Sequence, residues 1–570
     1  MVKLKKRECM ITSKLKIFVI FLSLILLVLF QAYYNSKQIY FSHKSGFYDN
    51  QFFLKIKTGK NYKIFYTLDS SVPTVNSIPY SKPILIKDAS SNPNVLSARS
   101  DMTFQHYFDN KVQKIPNSPV DKAVIVRAAL FDQNNNLLNQ DYRVFFVGFN
   151  KKNGYKNLPV VSVIMNPDDI IDGKRGIFVL GNKKSQKIES CSQDTDETIN
   201  FCKKSTNLEK KALIDIFSSN NRTLYFSYKA GIKIKGAESR ELIQKSMSLY
   251  AREQYDNSPY FSKNIFDNKI KLHNIILFNG GNDIHAKIKD YIVQTTESKI
   301  NSHFSTLKMI PCSVFLNGEY WGVYYLSENH NIQYFHTKYN IDKDELLITR
   351  KNNTSITKDY PPGIYELFAF YDKQMNVSAE VPIYVFFNNL DMSNDKNYQK
   401  ACKLIDIDSF IDYYATEIYI ANSDWPKHNN ARWKTTYKDK NNNMADTKWR
   451  WMLFDVNSPE ALIDYKYDSI GKTIETCPIF NALIKNKSFK EKFIQRIRFL
   501  ESQVYTPENM NLLIDDWLSI MKDPVFKSNE RFLHENANFI FDKEINNIRK
   551  FFELRPQYIN LYIDKHLGKE

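Results

Sequence analysis

One apolar run near the N-terminus constrains the topology of the whole chain. Residues 17–30 are apolar apart from Ser23, and residues 31–34 extend the run with two tyrosines. With the stem of the preceding lysine, the run approaches the ~20 residues that a helix needs to cross a bilayer. The positive charges before it are Lys3, Lys5, Lys6, Arg7, Lys14 and Lys16. We therefore predict a cytoplasmic basic tail over 1–16, a transmembrane signal anchor over 17–34 and an extracytoplasmic location for the rest.

A cleaved signal peptide is the alternative interpretation of this run. Signal peptidase sites follow a small-x-small pattern directly after the apolar stretch. Phe30, Gln31 and Ala32 do not supply that pattern. We therefore favour an uncleaved, single-pass anchor with the N-terminus inside.

The charge and the cysteines limit the function classes. The net charge of +17 is spread over lysines that alternate with acidic residues and asparagines. Such scatter is typical of a basic, soluble surface and not of a nucleic-acid groove, so no nucleic-acid partner is predicted. Cys191 and Cys202 flank a polar loop and can pair as a disulfide in an oxidising compartment. Cys312, Cys402 and Cys477 are predicted core residues, and no Cys/His spacing indicates a zinc site.

An all-β region is predicted over 40–148. Short alternating segments indicate strands at 51–57, 63–68, 83–86, 123–130 and 142–147. The phrase YTLDSSVPT at 66–74 resembles the chitobiase/β-hexosaminidase C-terminal type of module, with Ser70 in place of the usual turn glycine. That resemblance implies an immunoglobulin-like β-sandwich without catalytic residues. We favour a structural spacer over carbohydrate binding, because the sequence identifies no exposed aromatic platform.

The remainder is predicted to be α+β. A polar hinge at 150–157 precedes strands predicted at 158–164, 230–235, 246–252, 274–278, 312–316, 323–326 and 449–454. Helices are predicted at 287–299, 407–421, 489–505, 509–522 and 535–554, the last of them amphipathic. We assign 158–505 to one domain and 506–570 to a helical C-terminal extension packed on it. Residues 361–395 are weakly patterned and are predicted to be an irregular insertion.

The predicted chemistry depends on two segments. Asp424 and Asn429 stand in an Asp-x4-Asn spacing on a loop after the helix at 407–421. In kinase catalytic loops, such a carboxylate accepts the proton of the acceptor hydroxyl, and the amide contacts a phosphate-bound Mg²⁺. The run at 449–454 ends in Asp455, as expected for a metal-binding carboxylate. The spacing alone is weak, because an aspartate at a helix end is more often a cap.

These segments also carry a family resemblance. The phrases NSDWPKHN at 422–429, WRW at 449–451 and Asp455 resemble the spore-coat CotH kinase family. So do, in order, GIKIKGAESR at 231–240 with KS at 245–246, FNGGND at 278–283 with KD at 289–290, and FLNGEYWGVY at 315–324. The resemblance runs from Leu158 to beyond Trp517. It implies an atypical protein-kinase-like fold that uses ATP and Mg²⁺ (or Mn²⁺) to phosphorylate Ser/Thr residues of exported or spore-surface proteins at a bacterial cell or spore membrane.

The resemblance assigns roles position by position. It implies that Asp424 is the catalytic aspartate, and the metal positions are Asn429, Asp455 and Asn457. The implied nucleotide-binding residues are Lys245, paired with Glu328, and the weaker candidates Arg240 and Asn279. His428 is more simply interpreted as an exposed loop histidine than as a second proton acceptor.

Three departures from the family pattern leave alternatives open. Asn457 stands where the family carries a second aspartate, and Lys235 and Phe278 stand where arginines are common. A neutral amide weakens a Mg²⁺ site. A catalytically weak or inactive surface scaffold that binds protein or glycan is therefore the second hypothesis. A glycan-processing enzyme is the third and least favoured, because no carboxylate pair stands at a recognisable spacing.

Overall fold

The computed structural model describes residues 37–568 apart from 60–61, 156, 183–187, 205–207, 262–264, 267–269, 351–389 and 427, together with Ile20 and Ser23. The predicted basic tail lies outside the described residues. So do the predicted anchor, except Ile20 and Ser23, and most of the insertion predicted at 361–395. Within the part that is described, no helix is both long and apolar enough to cross a membrane.

The N-terminal module consists of β-strands arranged in two layers. Its strands are β1 (Tyr40–Phe41), β2 (Gly46–Tyr48), β3 (Phe52–Leu54), β4 (Ile56–Lys57), β5 (Lys63–Thr67), β6 (Ile78–Pro79), β7 (Ile84–Ile86), β8 (Val124–Phe131) and β9 (Leu137–Val147). One layer is a five-stranded sheet in the order β2-β9-β8-β5-β6, and the other contains the β3-β7 and β1-β4 pairs. Leu54 and Ile86 from the small pairs share a buried cluster with Val126 and Phe145 from the large sheet. The module is therefore a small sandwich, with strands at all five predicted positions.

A closed barrel of seven strands follows. Its strands are β10 (Val160–Met165), β11 (Lys210–Phe217), β12 (Leu224–Lys235), β13 (Ser246–Tyr250), β14 (Asn274–Phe278), β15 (Met309–Leu316) and β16 (Glu319–Ser327). The order around the barrel is β10-β11-β12-β13-β14-β16-β15, and a parallel pairing of β10 with β15 closes it. The sequence analysis did not predict β11, and it predicted no closure. Apolar side chains of all seven strands fill the interior.

The rest of the chain is a small sheet and a helical layer. Strands β17 (Leu346–Arg350), β18 (Ala431–Thr435) and β19 (Arg450–Met452) form the sheet. The α-helices between residues 37 and 568, outside the undescribed gaps, are α1 (Gln105–Asp109), α2 (Pro167–Ile171), α3 (Glu253–Asp256), α4 (Lys289–Lys299), α5 (Ile332–Tyr339), α6 (Asp395–Leu404), α7 (Ile407–Tyr419), α8 (Ser469–Thr476), α9 (Pro478–Leu483), α10 (Lys487–Phe499), α11 (Pro507–Phe532) and α12 (Ala537–Leu567). A π-helical turn at Leu500–Val504 continues α10.

Two helices are longer than predicted. The predicted ends at 522 and 554 stand just before Pro524 and Pro556, yet α11 and α12 continue through both prolines. A proline removes one helical hydrogen bond, and tertiary packing can offset that loss. Helix α11 packs on β16, where the Trp517 indole N–H donates to the Tyr325 hydroxyl at 2.9 Å.

The cysteine predictions agree with the structure. Cys191 and Cys202 form a disulfide with an S–S distance of 2.01 Å. Cys312 and Cys477 are buried and Cys402 is half-buried. The cysteines that the structure describes are therefore either bridged or packed in the protein interior.

Arg555 anchors the C-terminal helix to the segment that follows α7. Its side chain is fully buried in α12. The guanidinium donates to the carbonyl oxygens of Ile418 at 2.8 Å and Tyr419 at 2.9 Å, at the end of α7. It also donates to the carbonyl oxygens of Tyr465 and Tyr467 at 3.0 and 2.8 Å. One arginine thus ties the last helix to the end of α7 and to the loop that contains Tyr465 and Tyr467.

We expect Arg555→Leu to destabilise the fold severely. The change removes the donor of the Tyr419 and Tyr465 carbonyl oxygens, and each buried polar group left unpaired costs about 1–3 kcal/mol. Arg549→Leu is the matched control on the same helix, since its partners Asn511 and Asp515 lie at the surface. That change should cost less than about 1 kcal/mol. Urea unfolding of the full chain measures both, and equal losses would contradict the role of Arg555.

Candidate active site

A loop between α7 and β18 carries Asp424 and Asn429. The loop is fixed by Trp425, whose ring packs against those of Tyr413 and Tyr414 of α7 at centroid distances of 6.0 and 4.7 Å. Asp424 is half-exposed and accepts the backbone N–H of His428 at its carbonyl oxygen at 2.7 Å. His428 is exposed, as the sequence analysis favoured. The buried tryptophan therefore holds a loop whose carboxylate reaches solvent.

Asp455 lies beside this loop. The Asn429 side-chain amide donates to the Asp455 carbonyl oxygen at 3.3 Å. Both residues have left-handed backbone conformations, with φ of 56° and 58°, which non-glycine residues seldom adopt. Asp455 is solvent-accessible although protein atoms surround it densely, as expected for the wall of a cleft. We call the cleft bordered by Asp424, Asn429 and Asp455 the acidic cleft.

The charges of this cleft act on one another. Burial raises the pKa of the Asp455 carboxyl, and the negative charge of Asp424 raises it further, whereas Lys235 and a hydrogen bond from Asn457 oppose the rise. Lys235 is the last residue of β12 and donates to the Asn329 side chain at 3.3 Å. The structure thus brings two carboxylates and one lysine close together, and the sequence analysis gave Lys235 no role.

Asn457 is held by protein groups at both ends of its amide. Its Nδ2 donates to Oδ2 of Asp290, and its Oδ1 accepts the backbone N–H of Asn282 at 3.3 Å. The other oxygen of Asp290 accepts the Val456 N–H at 3.1 Å. Burial, with the charge of Asp455 second, raises the pKa of Asp290 to about 7. A carboxylate at position 457 would face Asp290 directly, so the amide removes a like-charge contact.

The start of α4 is fixed to the cleft by charged side chains. Asp283 accepts the backbone N–H groups of Ile288 and Lys289 at 2.6 and 2.9 Å. The Lys289 ammonium donates to the carbonyl oxygens of Ser458 and Pro459 at 2.9 and 3.1 Å. Lys289 and Asp290 therefore both hydrogen-bond to the segment at 456–459, after β19. The sequence analysis quoted these two residues without assigning them a role. Both residues are charged and yet buried in the first turn of α4, which is the feature that identifies them.

Lys245 and Arg240 lie elsewhere, in the contact between the barrel and the disulfide loop. The Lys245 ammonium donates to the carbonyl oxygens of Met102, Arg240 and Leu242 at 2.6–2.8 Å and lies 3.9 Å from the Phe201 ring centre. It is fully buried, and burial lowers its pKa well below the usual range. The Arg240 guanidinium donates to the carbonyl oxygens of Gly236, Phe201 and Lys203.

Asn279 and Glu328 also make contacts within the protein. Asn279 accepts the Ser246 hydroxyl at 2.8 Å and the Gly281 N–H at 2.9 Å, and donates to the Gln244 carbonyl at 2.6 Å. It thereby fixes Gly281, where a Cβ atom would stand 2.6 Å from the Asn457 amide nitrogen. Glu328 accepts the Lys308 backbone N–H at 2.9 Å. The assignments of nucleotide contacts to Lys245, Arg240, Asn279 and Glu328 stay predictions.

The cleft suits a metal ion that keeps part of its water shell. Within the described ranges, no three His, Cys, Asp or Glu side chains converge to form a complete metal cage. Mg²⁺ commonly binds through one or two protein oxygens together with substrate phosphates and water. The Asp455 carboxylate and the Asn429 amide oxygen supply that donor type at a solvent-open position. The residues present therefore fit Mg²⁺ in the presence of a phosphate ligand.

Glu417 gives the folded protein a measurable pH dependence. It lies fully buried in α7, and burial raises its pKa to about 8, although Asn422 donates to it at 2.8 Å. The folded chain thus keeps a proton that the unfolded chain loses near the ordinary glutamate pKa of about 4.3. Folding stability must then fall as pH rises between these values.

We expect Glu417→Gln to flatten this fall, because the amide cannot ionise. Urea unfolding between pH 4.5 and 8.5 measures it. Glu475→Gln is the matched control, since Glu475 is an exposed partner of Lys472, and it should reproduce the wild-type curve. A Glu417→Gln curve that parallels the wild type would show that this carboxyl does not hold the proton.

Comparison with known families places two parts of the chain in described families. Residues 232–559, more than half of the chain, match the family model described as CotH kinase protein. Residues 54–139, within the N-terminal sandwich, match the model described as Fn3 associated. A search of curated proteins found no significant match. The CotH match runs from the end of β12 into α12 and includes Asp424, Asn429 and Asp455. Because it covers more than half of the chain, the chain belongs to the CotH kinase family.

Proposed function

We propose that the protein is a membrane-anchored, extracytoplasmic kinase that transfers phosphate from ATP to Ser/Thr hydroxyls of exported or cell- or spore-surface proteins. The observation that carries the proposal is the convergence of Asp424, Asn429 and Asp455 on one open cleft. Phosphoryl transfer needs a proton acceptor, oxygen ligands for a metal and a cation for the phosphates. Each of these chemical types is present beside Asp455.

Asp424 is the proton acceptor in this proposal. Its carboxylate is half-exposed on a loop held by the buried Trp425, so an acceptor hydroxyl can approach it from solvent. The fixed loop places the carboxylate in position before the substrate arrives, which limits the reorganisation needed for proton transfer.

Asp455 and Asn429 would hold the Mg²⁺ ion. When bound, the ion neutralises charge on the transferred phosphate. Asn457 supports this pair indirectly, because its amide is held by Asp290 and Asn282 and fixes the segment that follows Asp455. The charge missing at position 457 leaves Asp455 as the main anionic ligand.

Lys235 is the cation that we assign to the phosphates. It lies close enough to Asp455 to lower the pKa of that carboxyl. The ammonium of Lys245, by contrast, already has three carbonyl acceptors and a ring around it. A lysine enclosed in this way has no donor left for a nucleotide unless the surrounding backbone moves.

The proposed location outside the cytoplasm has two supports. The first is the basic tail and apolar run at 1–34. The second is the disulfide between Cys191 and Cys202, since disulfides persist chiefly in oxidising compartments.

A surface scaffold without turnover is the second candidate function. It is favoured by Asn457, because the family's second metal-facing carboxylate is replaced here by an amide that is bound within the protein. The two candidates differ in a simple respect: a kinase turns ATP over, and a scaffold does not.

We expect Asp424→Asn to lower phosphate transfer by about 10²–10⁴-fold, the usual contribution of a general base. The assay uses the full chain, ATP, Mg²⁺ and a Ser-rich acceptor protein. Nucleotide binding should persist in the variant, because the residues assigned to metal and phosphate are unchanged. Asp439→Asn, in an exposed turn, is the matched control and should keep full activity.

Three outcomes separate the candidates. Transfer by the wild type that Asp424→Asn abolishes supports the kinase. Nucleotide binding by the wild type without any transfer supports the scaffold. Transfer that is equal in the wild type and in Asp424→Asn removes Asp424 from the mechanism.

Lys235→Met and Lys245→Met should fail in different ways. Loss of Lys235 should raise the KM for ATP at least tenfold and leave the unfolding midpoint almost unchanged, because its side chain is half-buried at the cleft. Loss of Lys245 should lower the free energy of unfolding by about 1–3 kcal/mol for each buried carbonyl oxygen that it leaves without a donor. Steady-state kinetics and urea unfolding of both variants measure this, and the reverse pattern would return the phosphate role to Lys245.

A further inference from the structure

The two layers of the N-terminal sandwich have different surroundings. Phe146 of the five-stranded sheet packs in one buried cluster with Phe217 and Phe315 of the barrel. Its neighbour Phe145 packs on the other side of the same sheet, against Leu54 and Ile86 of the small strand pairs. Successive side chains of a strand point to opposite faces of its sheet. The layer made of the β3-β7 and β1-β4 pairs therefore turns its outer face away from the barrel.

This outer face combines apolar and positively charged side chains. Every second residue of 53–57 and of 84–87 is exposed, and the residues between them are buried in the sandwich. The exposed side chains therefore point outward together. Across β3 and β7, the apolar residues of this set are direct cross-strand partners, Phe53 at 61% and Leu85 at 44% exposure. The set consists of Phe53, Lys55, Lys57, Leu85 and Lys87, which we call the basic face.

The positive charge of the basic face is not balanced within its own segments. Residues 51–57 and 82–87 contain four lysines and no acidic residue. The next residue, Asp88, forms an ion pair with Lys152 at 3.1 Å, toward the hinge that leads to the barrel. Lysines beside exposed apolar side chains are typical of surfaces that bind anionic lipids, because the lysines attract the headgroups and the apolar groups enter the interface.

The chain between the predicted anchor and the sandwich is too short to hold this face far from a bilayer. The apolar run ends at Tyr34 and β1 begins at Tyr40. Six residues span at most about 20 Å when fully extended, and a domain of ~100 residues has a radius of gyration of about 13 Å. Strand β1 also belongs to the small-pair layer, where Tyr40 pairs with Lys57 of the basic face. The anchor therefore joins the sandwich in the layer that carries the basic face.

We propose that the basic face docks on the anionic lipid headgroups of the membrane that holds the anchor. The proposal rests on the proposed membrane anchor and adds the orientation of the protein on the bilayer. The sandwich then stands between the bilayer and the barrel. A second copy of the chain is a poorer occupant of this face, because a symmetric dimer would bring the lysines of both copies together.

Covalent labelling of lysines in the full chain tests the docking. The protein is inserted into lipid nanodiscs of phosphatidylcholine, alone or mixed with an equal part of phosphatidylglycerol, and treated with a water-soluble amine reagent. Peptide mass spectrometry then gives the labelling rate of each lysine. We expect Lys55, Lys57 and Lys87 to be labelled at least fivefold more slowly in the anionic discs. Lys63 is the internal control, because it is exposed on β5 in the other layer and should be labelled equally in both discs.

The apolar part of the contact is tested by Phe53→Ser combined with Leu85→Ser. This double variant should reduce the protection of the three lysines to less than twofold. Both side chains are exposed, so their loss leaves no cavity and the unfolding temperature should not change. Leu137→Ser is the matched control, since Leu137 is a leucine of β9 in the other layer with 50% exposure, and it should keep the full protection. Asp424→Asn should also keep it, which separates docking from phosphate transfer.

The contradicting outcomes identify which idea fails. Equal labelling of the basic face in anionic and neutral discs would overturn the docking and leave the proposed kinase and its anchor untouched. A chain that does not enter the discs would refute the anchor, and the docking with it. Protection that appears in detergent and rises with protein concentration would assign the face to a second copy of the chain and would overturn the proposal as well.

Discussion

The geometry of the acidic cleft depends on the carboxylate of Asp290. It accepts the Val456 N–H and the Asn457 amide, so one side chain in the first turn of α4 fixes the segment directly after Asp455. Lys289 holds the next two residues through their carbonyl oxygens. Two neighbouring residues of α4 therefore hold this segment. The Asp290 carboxylate accepts its N–H groups, and the Lys289 ammonium donates to its carbonyl oxygens. The left-handed backbone at Asp455 persists because the residues after it cannot relax.

The closed barrel positions the residues that lie on the other side of this contact. Closure through the parallel β10–β15 pair leaves no open edge in the seven-stranded sheet. Strand β12 ends at Lys235 and β14 ends at Phe278, so the barrel delivers a cation and the glycine turn at 280–281 to one rim. The helical layer supplies α7, which leads into the loop that carries Asp424, and Arg555 donates to the carbonyl oxygens at its end.

Local patterns were enough to predict much of this fold, and long-range contacts account for what they missed. Alternation identified β13 and β14, and helical periodicity identified α7 and α10. Strand β11 was not predicted. Closure of the barrel was also missed, because it depends on pairing between β10 and β15, which are far apart in the chain. At the site, the spacing of Asp424, Asn429 and Asp455 indicated residues that do meet. Lys245 shows what local patterns cannot predict. One of its acceptors is the carbonyl oxygen of Met102, which is far from it in the sequence.

Because Arg555 stands in the last helix, its contacts with α7 can form only late in synthesis. Translation proceeds from the N-terminus, so α7 emerges well before the arginine that contacts its C-terminal end. Until α12 has emerged, the Tyr419 carbonyl oxygen lacks the donor that it has in the folded chain. A chain truncated before α12 would therefore lack one of the contacts that hold the helix before the Asp424 loop. The contacts between α12 and α7 are therefore complete only after the last helix has been synthesised.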